Sequence, residues 1–227
     1  MEGKGTTGAN ESYENQKAVE TNTKYKSSSS YTKSKTVNLK HALCRPAPDI
    51  ILENNIKCVY FNARSIVNKL PELELLIREE NVDVLGICET WLLEEISDGE
   101  ISFSGYSLFR RDRKDLVKER GGGVLLYIKN ELNPILMPEL SDSGFEESVW
   151  CGIKCKNLCI TVGVIYRATD SSKLNDESMY RLFDSIYDKK VLIMGDFNYP
   201  ELDWSDGAIL DLSHPFVDCI TTNFLEQ

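Results

Sequence analysis

The sequence predicts an α/β fold, two sheets face to face with helices outside, and three observations carry that expectation. Short apolar runs alternate with segments whose apolar residues recur at helical spacing. Several of the runs end in polar side chains, as expected where strand ends collect at one edge of a sheet. Polar, low-complexity sequence is confined to about the first fifty of 227 residues, which leaves the rest to form one core.

Residues 1–50 read as a disordered polar leader and 51–227 as the domain. The leader is rich in Ser, Thr, Lys, Asn and Glu, contains a Ser27 to Ser30 run and shows no sustained period. Lys57 to Asn62 and Val82 to Glu89 read as strands. Between them Leu70, Leu73, Leu76 and Ile77 have the spacing of a helix packed by one face. Tyr106 to Arg110 and Val124 to Ile128 read as further strands, with Gly121 to Gly123 as a turn into the second. Those glycines are not followed by a Gly-Lys-Ser/Thr ending or a helix, so they do not read as a phosphate cradle. Glu147 to Lys154 and Leu158 to Tyr166 read as a hairpin turning at Lys156-Asn157. A helix is expected from about Asn175 to Tyr187, with Met179, Leu182, Phe183 and Ile186 on one side. Val191 to Met194 is a short apolar run, covered on both faces as a strand. A last helix is expected around Pro215 to Phe224, although Thr221 and Thr222 weaken it.

The strand ends carry the chemistry. Val191-Leu-Ile-Met-Gly-Asp-Phe-Asn-Tyr-Pro200 delivers Asp196 and Asn198, two residues apart, to one side of an extended chain, with Phe197 opposite as an anchor. Gly195 permits a close backbone approach there. The structural alternative is an Asx-capped turn. The other strand ends bring Asn62, Glu89, and Tyr166 with Arg167. Carboxylates and carboxamides without cysteine or histidine suit a hard cation such as Mg2+ or Mn2+.

Five blocks occur together and in order: Phe61-Asn-Ala-Arg-Ser-Ile-Val-Asn-Lys-Leu70, Cys88-Glu-Thr-Trp-Leu92, Gly121-Gly-Gly-Val124, Val164-Ile-Tyr-Arg167 and Gly195-Asp-Phe-Asn-Tyr-Pro-Glu-Leu-Asp-Trp204. From about residue 55 onward the chain thereby resembles the endonuclease domain of non-long-terminal-repeat (LINE-type) retrotransposons, in the endonuclease/exonuclease/phosphatase superfamily. The resemblance implies a four-layer α/β/β/α sandwich and metal-dependent hydrolysis of a DNA phosphodiester. It implies Glu89 as principal Mg2+ ligand with Asn62 beside it, and Mn2+ as a substitute ion. Tyr166 would bond the scissile phosphate, Asp196 would orient or deprotonate the attacking water, and Asn198 would hold a phosphate oxygen. A nuclear location follows by the same analogy.

The family closes its site with a Ser-Asp-His block far downstream of Gly-Asp-Phe-Asn, and no such block precedes Gln227. The expectation is therefore a C-terminally incomplete domain with at best weak cleavage, since general acid-base groups contribute typically ~10^2 to 10^4-fold. Ser213-His214 lacks the intervening Asp, and His214 reads as a residue near the start of the last helix. His41, the only other histidine, lies in the polar leader. Two alternatives stand beside the nuclease: a phosphatase or exonuclease of the same superfamily, and a noncatalytic remnant or binding module. The Tyr199 to Trp204 extension favours the retrotransposon branch.

Charge limits how DNA is met. Residues 1–48 hold 8 Lys/Arg against 4 Asp/Glu, and the remainder holds 18 against 32. An acidic body disfavours broad backbone-driven affinity, so contacts are expected to be local. The expected substrate-binding residues are Arg110, Arg111 and Arg113, in the basic segment Phe109 to Arg120, together with Arg167. An ordinary solvated charged loop is the alternative for that segment.

The 7 cysteines are scattered, and Cys151, Cys155 and Cys159 have neither a nearby histidine nor a Cys-x-x-Cys pair, so zinc is not expected. The odd count and the lack of a signal peptide favour reduced, intracellular thiols. No apolar stretch approaches the ~20 residues that span a bilayer, and no membrane partner is expected. Trp91, Trp150 and Trp204 read as core or rim residues.

Overall fold

Strand alternation builds the molecule. In the computed structural model, which describes residues 19–22, 42–44, 56–113, 121–155, 158–202 and 213–226, strand β4 (Val84–Cys88) turns Val84 and Cys88 to one face and Leu85 and Ile87 to the other. Each face meets a different layer, so the strand is apolar throughout.

The first sheet has the order β1-β3-β4-β6-β5, with β1 at Val19–Asn22, β3 at Lys57–Asn62, β5 at Tyr106–Arg111 and β6 at Val124–Lys129. The second has the order β2-β10-β9-β8-β7, with β2 at Ala42–Cys44, β7 at Ile135–Leu136, β8 at Ser148–Cys155, β9 at Leu158–Tyr166 and β10 at Val191–Asp196. Each sheet has one parallel pair at its centre, β3 with β4 and β9 with β10. Helix α1 (Leu70–Glu79) connects the first pair and α4 (Lys173–Ser185) the second, since parallel strands need a crossover. Two one-turn helices, α2 (Asp98–Ile101) and α3 (Pro138–Ser141), lie in connections, and α5 (Pro215–Thr222) follows β10.

Three apolar layers result. Between the sheets, Cys58, Tyr60, Val84, Cys88 and Leu126 meet Val149, Cys151, Val162, Val164, Leu192 and Met194. Outside the first sheet, Leu73 and Ile77 of α1 cover Val59, Leu85 and Ile87. Outside the second, Met179, Leu182 and Phe183 of α4 and Phe216, Val217 and Ile220 of α5 cover Trp150, Ile165 and Ile193. Each such side chain contributes about 1.5–3 kcal/mol by burial. This is the four-layer α/β/β/α sandwich that the sequence implied.

Gly86 lies at the centre of the seam between the sheets. A side chain there would come within 2.8 Å of Val164 Cγ2 and 3.0 Å of Met194 Cε. The absence of a Cβ lets the two sheets approach.

The elements follow the sequence reading closely, and the helix starts have local causes. Ser172 caps α4 by accepting from the Asn175 N–H at 3.2 Å. His214 caps α5 through Nδ1, which accepts from the Phe216 N–H at 3.2 Å, and Pro215 occupies the first turn, where no N–H is needed. The helix stops at Thr222, short of Phe224, with Asn223 at its C-cap. Of the leader, Val19–Asn22 pairs with β3 and Ala42–Cys44 with β10. The rest of the leader, including His41, lies outside the described residues, as do residues 114–120, the expected turn at Lys156-Asn157, and Trp204. Among the described residues no helix is long and apolar enough to cross a membrane.

Candidate active site

The alternation that builds the seam also loads one end of it. Cys58 and Tyr60 face the seam, and the next residue of that parity is Asn62; Val162 and Val164 lead likewise to Tyr166, and Leu192 and Met194 to Asp196. Three polar side chains thus leave three strands toward the same gap. Asn62 Nδ2 donates to Asp196 Oδ2 at 3.2 Å, which joins the sheets across 134 positions of sequence.

Glu89 reaches the gap by a different route. Cys88 already faces the seam, so Glu89 would point away if β4 continued; instead its φ is 55°. The carbonyl of Glu89 accepts from the Ser65 N–H at 2.8 Å, and that of Thr90 from the Ile66 N–H at 3.0 Å. On the other side, the N–H groups of Thr90 and Trp91 donate to the carbonyls of Gly123 and Gly122 at 3.3 and 3.1 Å. Arg64, Ser65 and Trp91 also have positive φ, at 44°, 82° and 53°. A cluster of unusual backbone conformations at one strand end marks a place whose geometry the fold over-determines.

The Glu89 carboxylate is held by three donors: the Trp91 indole Nε1–H at 2.5 Å, the Gly122 N–H at 3.2 Å, and the Tyr166 hydroxyl. Burial alone would raise its pKa, but these bonds and the nearby Arg113 charge outweigh it and hold the carboxyl below its ordinary value. Burial and the bond to Glu89 push the Tyr166 hydroxyl well above its ordinary value, which keeps the phenol protonated.

Asn198, with φ 46°, departs from the extended path, so its side chain does not simply continue the direction of Asp196. Its Nδ2 donates to the Arg167 carbonyl at 2.7 Å, and Arg167 Nη1 donates back to the Asn198 carbonyl at 2.6 Å. Arg167 is 7% exposed; its Nε and Nη2 both donate to Asp176 at 2.9 Å, and its guanidinium lies 3.8 Å from the centroid of the Tyr199 ring. It braces the loop that carries Asn198.

The other arginines are also engaged. Arg110 donates to Asp112 at 2.6 Å, to Asp98 at 3.2 Å and to the Ile96 carbonyl at 2.7 Å. Arg111 donates to the Ser141 carbonyl and to Asp142 Oδ1 at 3.2 Å. Arg113 donates to both oxygens of Glu147, at 3.1 and 2.6 Å. His214 makes its contacts with other residues, its Nε2 3.2 Å from Glu201 Oε1 and its ring edge-on to Tyr199.

Asn62 with Asp196, and Glu89 with Tyr166, are therefore two bonded pairs at one end of the seam, set side by side by the strand register of Asp196 with Tyr166, with Asn198 tied to the backbone beside Tyr166. Sequence reasoning missed Trp91 as a donor to Glu89; it read Gly122 only as part of a turn and of one of the ordered blocks, and Glu147 only as the start of a strand. Cys88-Glu-Thr-Trp was visible as a block, but only a backbone that reverses at Glu89 and Trp91 brings the indole onto the carboxylate. The three-glycine run was the available signal for the loop.

The donor set is two carboxylates and two carboxamides, all oxygen ligands, with no thiolate or imidazole. It fits a hard divalent cation, which needs only one or two protein carboxylates when waters and phosphate complete its shell. Among the described residues no group of three or more His, Cys, Asp or Glu forms a metal cage.

A sequence profile described as the Endonuclease/Exonuclease/phosphatase family matches residues 59–216. The chain belongs to this family. No curated protein matches the sequence. Among solved structures with the endonuclease/exonuclease/phosphatase fold, the endonuclease domain of TRAS1, a telomere-specific non-LTR retrotransposon, is 17% identical over 73% of this chain and 68% of that one, with a TM-score of 0.50. The AP endonuclease LMAP from Leishmania major is 19% identical over 61% and 54% of the two chains, TM-score 0.49. The Xenopus laevis APE2 catalytic domain is 17% identical over 73% and 66%, TM-score 0.48. At 17% identity the likeness to the TRAS1 domain is one of fold, and this chain spans 54% to 68% of the lengths of the three.

Proposed function

We propose that the chain is a divalent-metal-dependent phosphodiesterase, a DNA endonuclease of retrotransposon type acting in the nucleus. The observation that carries this is the pair of cross-sheet contacts, Asn62 to Asp196 and Tyr166 to Glu89, which gather four residues from four strands into one oxygen-rich group. Nucleases of this family generally use divalent ions, and the TRAS1 domain is by name a retrotransposon endonuclease.

Glu89 and Asn62 would hold Mg2+ or Mn2+. When bound, the ion supplies the positive charge that an anionic phosphodiester needs before a nucleophile can approach. Asp196, its Oδ2 fixed by Asn62, accepts the proton of the attacking water. The water oxygen bonds to phosphorus and the bridging P–O bond breaks, its electron pair leaving with the departing oxygen. Tyr166, protonated at neutral pH, would turn its hydroxyl hydrogen from Glu89 Oε1 to a non-bridging phosphate oxygen when substrate enters. Asn198 keeps a second amide hydrogen for the same group. Arg113 and Arg167 shape the site through Glu147 and Asp176. Arg110 and Arg111 would grip the DNA backbone by exchanging Asp98 and Asp142 for phosphate.

One observation favours a second reading, a phosphatase of the same family with a small phosphate ester as substrate: the body is acidic and these arginines are already paired. A single experiment separates the two. Supercoiled plasmid and a small phosphomonoester are each incubated with the chain and Mg2+ or Mn2+, beside Glu89→Gln, Asp196→Asn and EDTA controls. The nuclease reading expects open circles from the wild type and a loss of ~10^2-fold or more in both variants. Metal-dependent nicking retained in both variants would defeat the assignment, and turnover of the monoester alone would select the phosphatase.

A further inference from the structure

One buried ion pair beside the site, Glu147 with Arg113, takes no direct part in the chemistry above. Glu147 immediately precedes β8 and is 4% exposed. Its Oε1 accepts from Arg113 Nε at 3.1 Å and from the Gly123 N–H at 2.6 Å, and its Oε2 accepts from Arg113 Nη2 at 2.6 Å. A buried carboxylate is tolerated only when its charge is paired and its lone pairs are bonded, and here both conditions are met.

The pair stands against two of the three holders of Glu89, Gly122 and Tyr166. On one side stand Gly121, Gly122 and Gly123, with φ of 114°, 67° and 83°. A Cβ on Gly122 would collide with Glu147 Oε1 and with the Arg113 guanidinium, so the ion pair sits directly against this backbone. The same Gly122 donates its N–H to Glu89 Oε2 at 3.2 Å and accepts the Trp91 N–H at 3.1 Å. On the other side the Arg113 guanidinium lies 5.6 Å from the centroid of the Tyr166 ring, and the Tyr166 N–H donates to the Glu147 carbonyl at 2.9 Å. The Tyr166 hydroxyl in turn donates to Glu89 Oε1. Glu147 therefore reaches one carboxylate oxygen of Glu89 through the glycine loop and the other through Arg113 and Tyr166.

We propose that Glu147, acting with Arg113, is a positioning residue that fixes the pose of the Glu89 carboxylate and thereby sets the affinity of the site for its divalent cation. The inference rests on the reading of Glu89 as a metal ligand. Partners that orient a metal ligand typically govern affinity by about 10 to 100-fold. Glu147 touches neither ion nor substrate.

The test uses the full chain with 15N-labelled tryptophan and has two readouts besides activity. The Trp91 indole N–H donates to Glu89 and so reports its position without metal; its resonance is assigned by Trp91→Phe. Mn2+ affinity is measured by calorimetry with no substrate present. Glu147→Gln is expected to shift the Trp91 indole resonance in metal-free protein and to weaken Mn2+ binding about 10 to 100-fold, in a chain whose near-ultraviolet circular dichroism stays folded. An unmoved resonance with unchanged Mn2+ affinity overturns the proposal. If Glu147→Gln does not fold, the Glu147→Gln/Arg113→Gln pair, which removes both charges, is read in the same way. Failure of both variants to fold makes the pair a determinant of the fold and also overturns the positioning role. Mn2+ binding unaffected by Glu89→Gln would refute the ligand assignment itself, and the indole resonance would then still show whether the clamp sets the carboxylate.

Discussion

Asn62 donates its amide hydrogen to Asp196 across the gap between the two sheets, at 3.2 Å. Asn62 ends a strand of one sheet and Asp196 a strand of the other, and neither sheet alone could place both.

Asn62→Ala should therefore lower activity far more than stability. The lost bond to Asp196 is worth about 0.5–1.5 kcal/mol in folding, and the exposed one from the Arg64 N–H to Asn62 Oδ1 can be replaced by water, whereas loss of an orienting partner should reduce turnover by about 10 to 100-fold. Denaturant melts beside nicking rates on plasmid check this. Equal proportional losses in both would contradict a site role for Asn62.

Arg167→Met should be the most destabilising of these substitutions. It strands Asp176, whose one further side-chain donor among the described residues is the Ser171 hydroxyl at 2.7 Å. Breaking a buried pair in this way costs about 3 kcal/mol or more, a fall in Tm of roughly 6–12 °C. Arg167→Lys keeps the charge but not the two-pronged geometry and should lie between. A melt within about a degree of wild type for Arg167→Met would show that the network does not brace the Asn198 loop.

The pH dependence of stability should carry a signature of Glu89. Its carboxyl is held below the ordinary value in the folded chain, with burial opposed by bonds from Trp91, Tyr166 and Gly122 and by the charge of Arg113. A group with a depressed folded value adds stability above its unfolded value, about 4.3 for Glu, and loses it as pH falls through the folded value. In EDTA, the stability difference between wild type and Glu89→Gln should thus change between pH 6 and pH 3, with the wild type losing ground in acid. A difference independent of pH would place the Glu89 carboxyl at its unfolded value.

Gly86→Ala should destabilise by about 1–3 kcal/mol through overpacking of the seam. The new methyl meets Val164 and Met194. A companion Val164→Ala should recover part of the loss, measured as a double-mutant coupling in denaturant melts. Strictly additive effects would indicate that the two positions do not share space.

Much of this was legible in the sequence, because alternation and helical spacing are local. Leu158–Tyr166 is a strand with the expected bounds, and Asn62, Tyr166 and Asp196 lie where the parity of their strands sends them. What was not legible depends on partners distant in sequence or on backbone reversals. Glu89 and Asn198 escape the alternation rule through positive φ. The arginines looked available because composition shows charge without its partner; Glu147 lies 34 positions from Arg113, and Asp176 comes back to Arg167 only through the start of α4. The one-turn helices α2 and α3 and the two-residue β7 are too short to express any period.

The seam that Gly86 keeps thin has a further consequence. Asn62 and Glu89 ride on one sheet, Tyr166 and Asp196 on the other, so the distance between the two halves of the site is a caliper setting fixed by the side-chain volumes stacked beneath it. Residues such as Met194 and Val164, which never meet a substrate, are in effect spacers. Substitutions there that leave the fold intact would change reactivity the way a shim changes the gap of a vice.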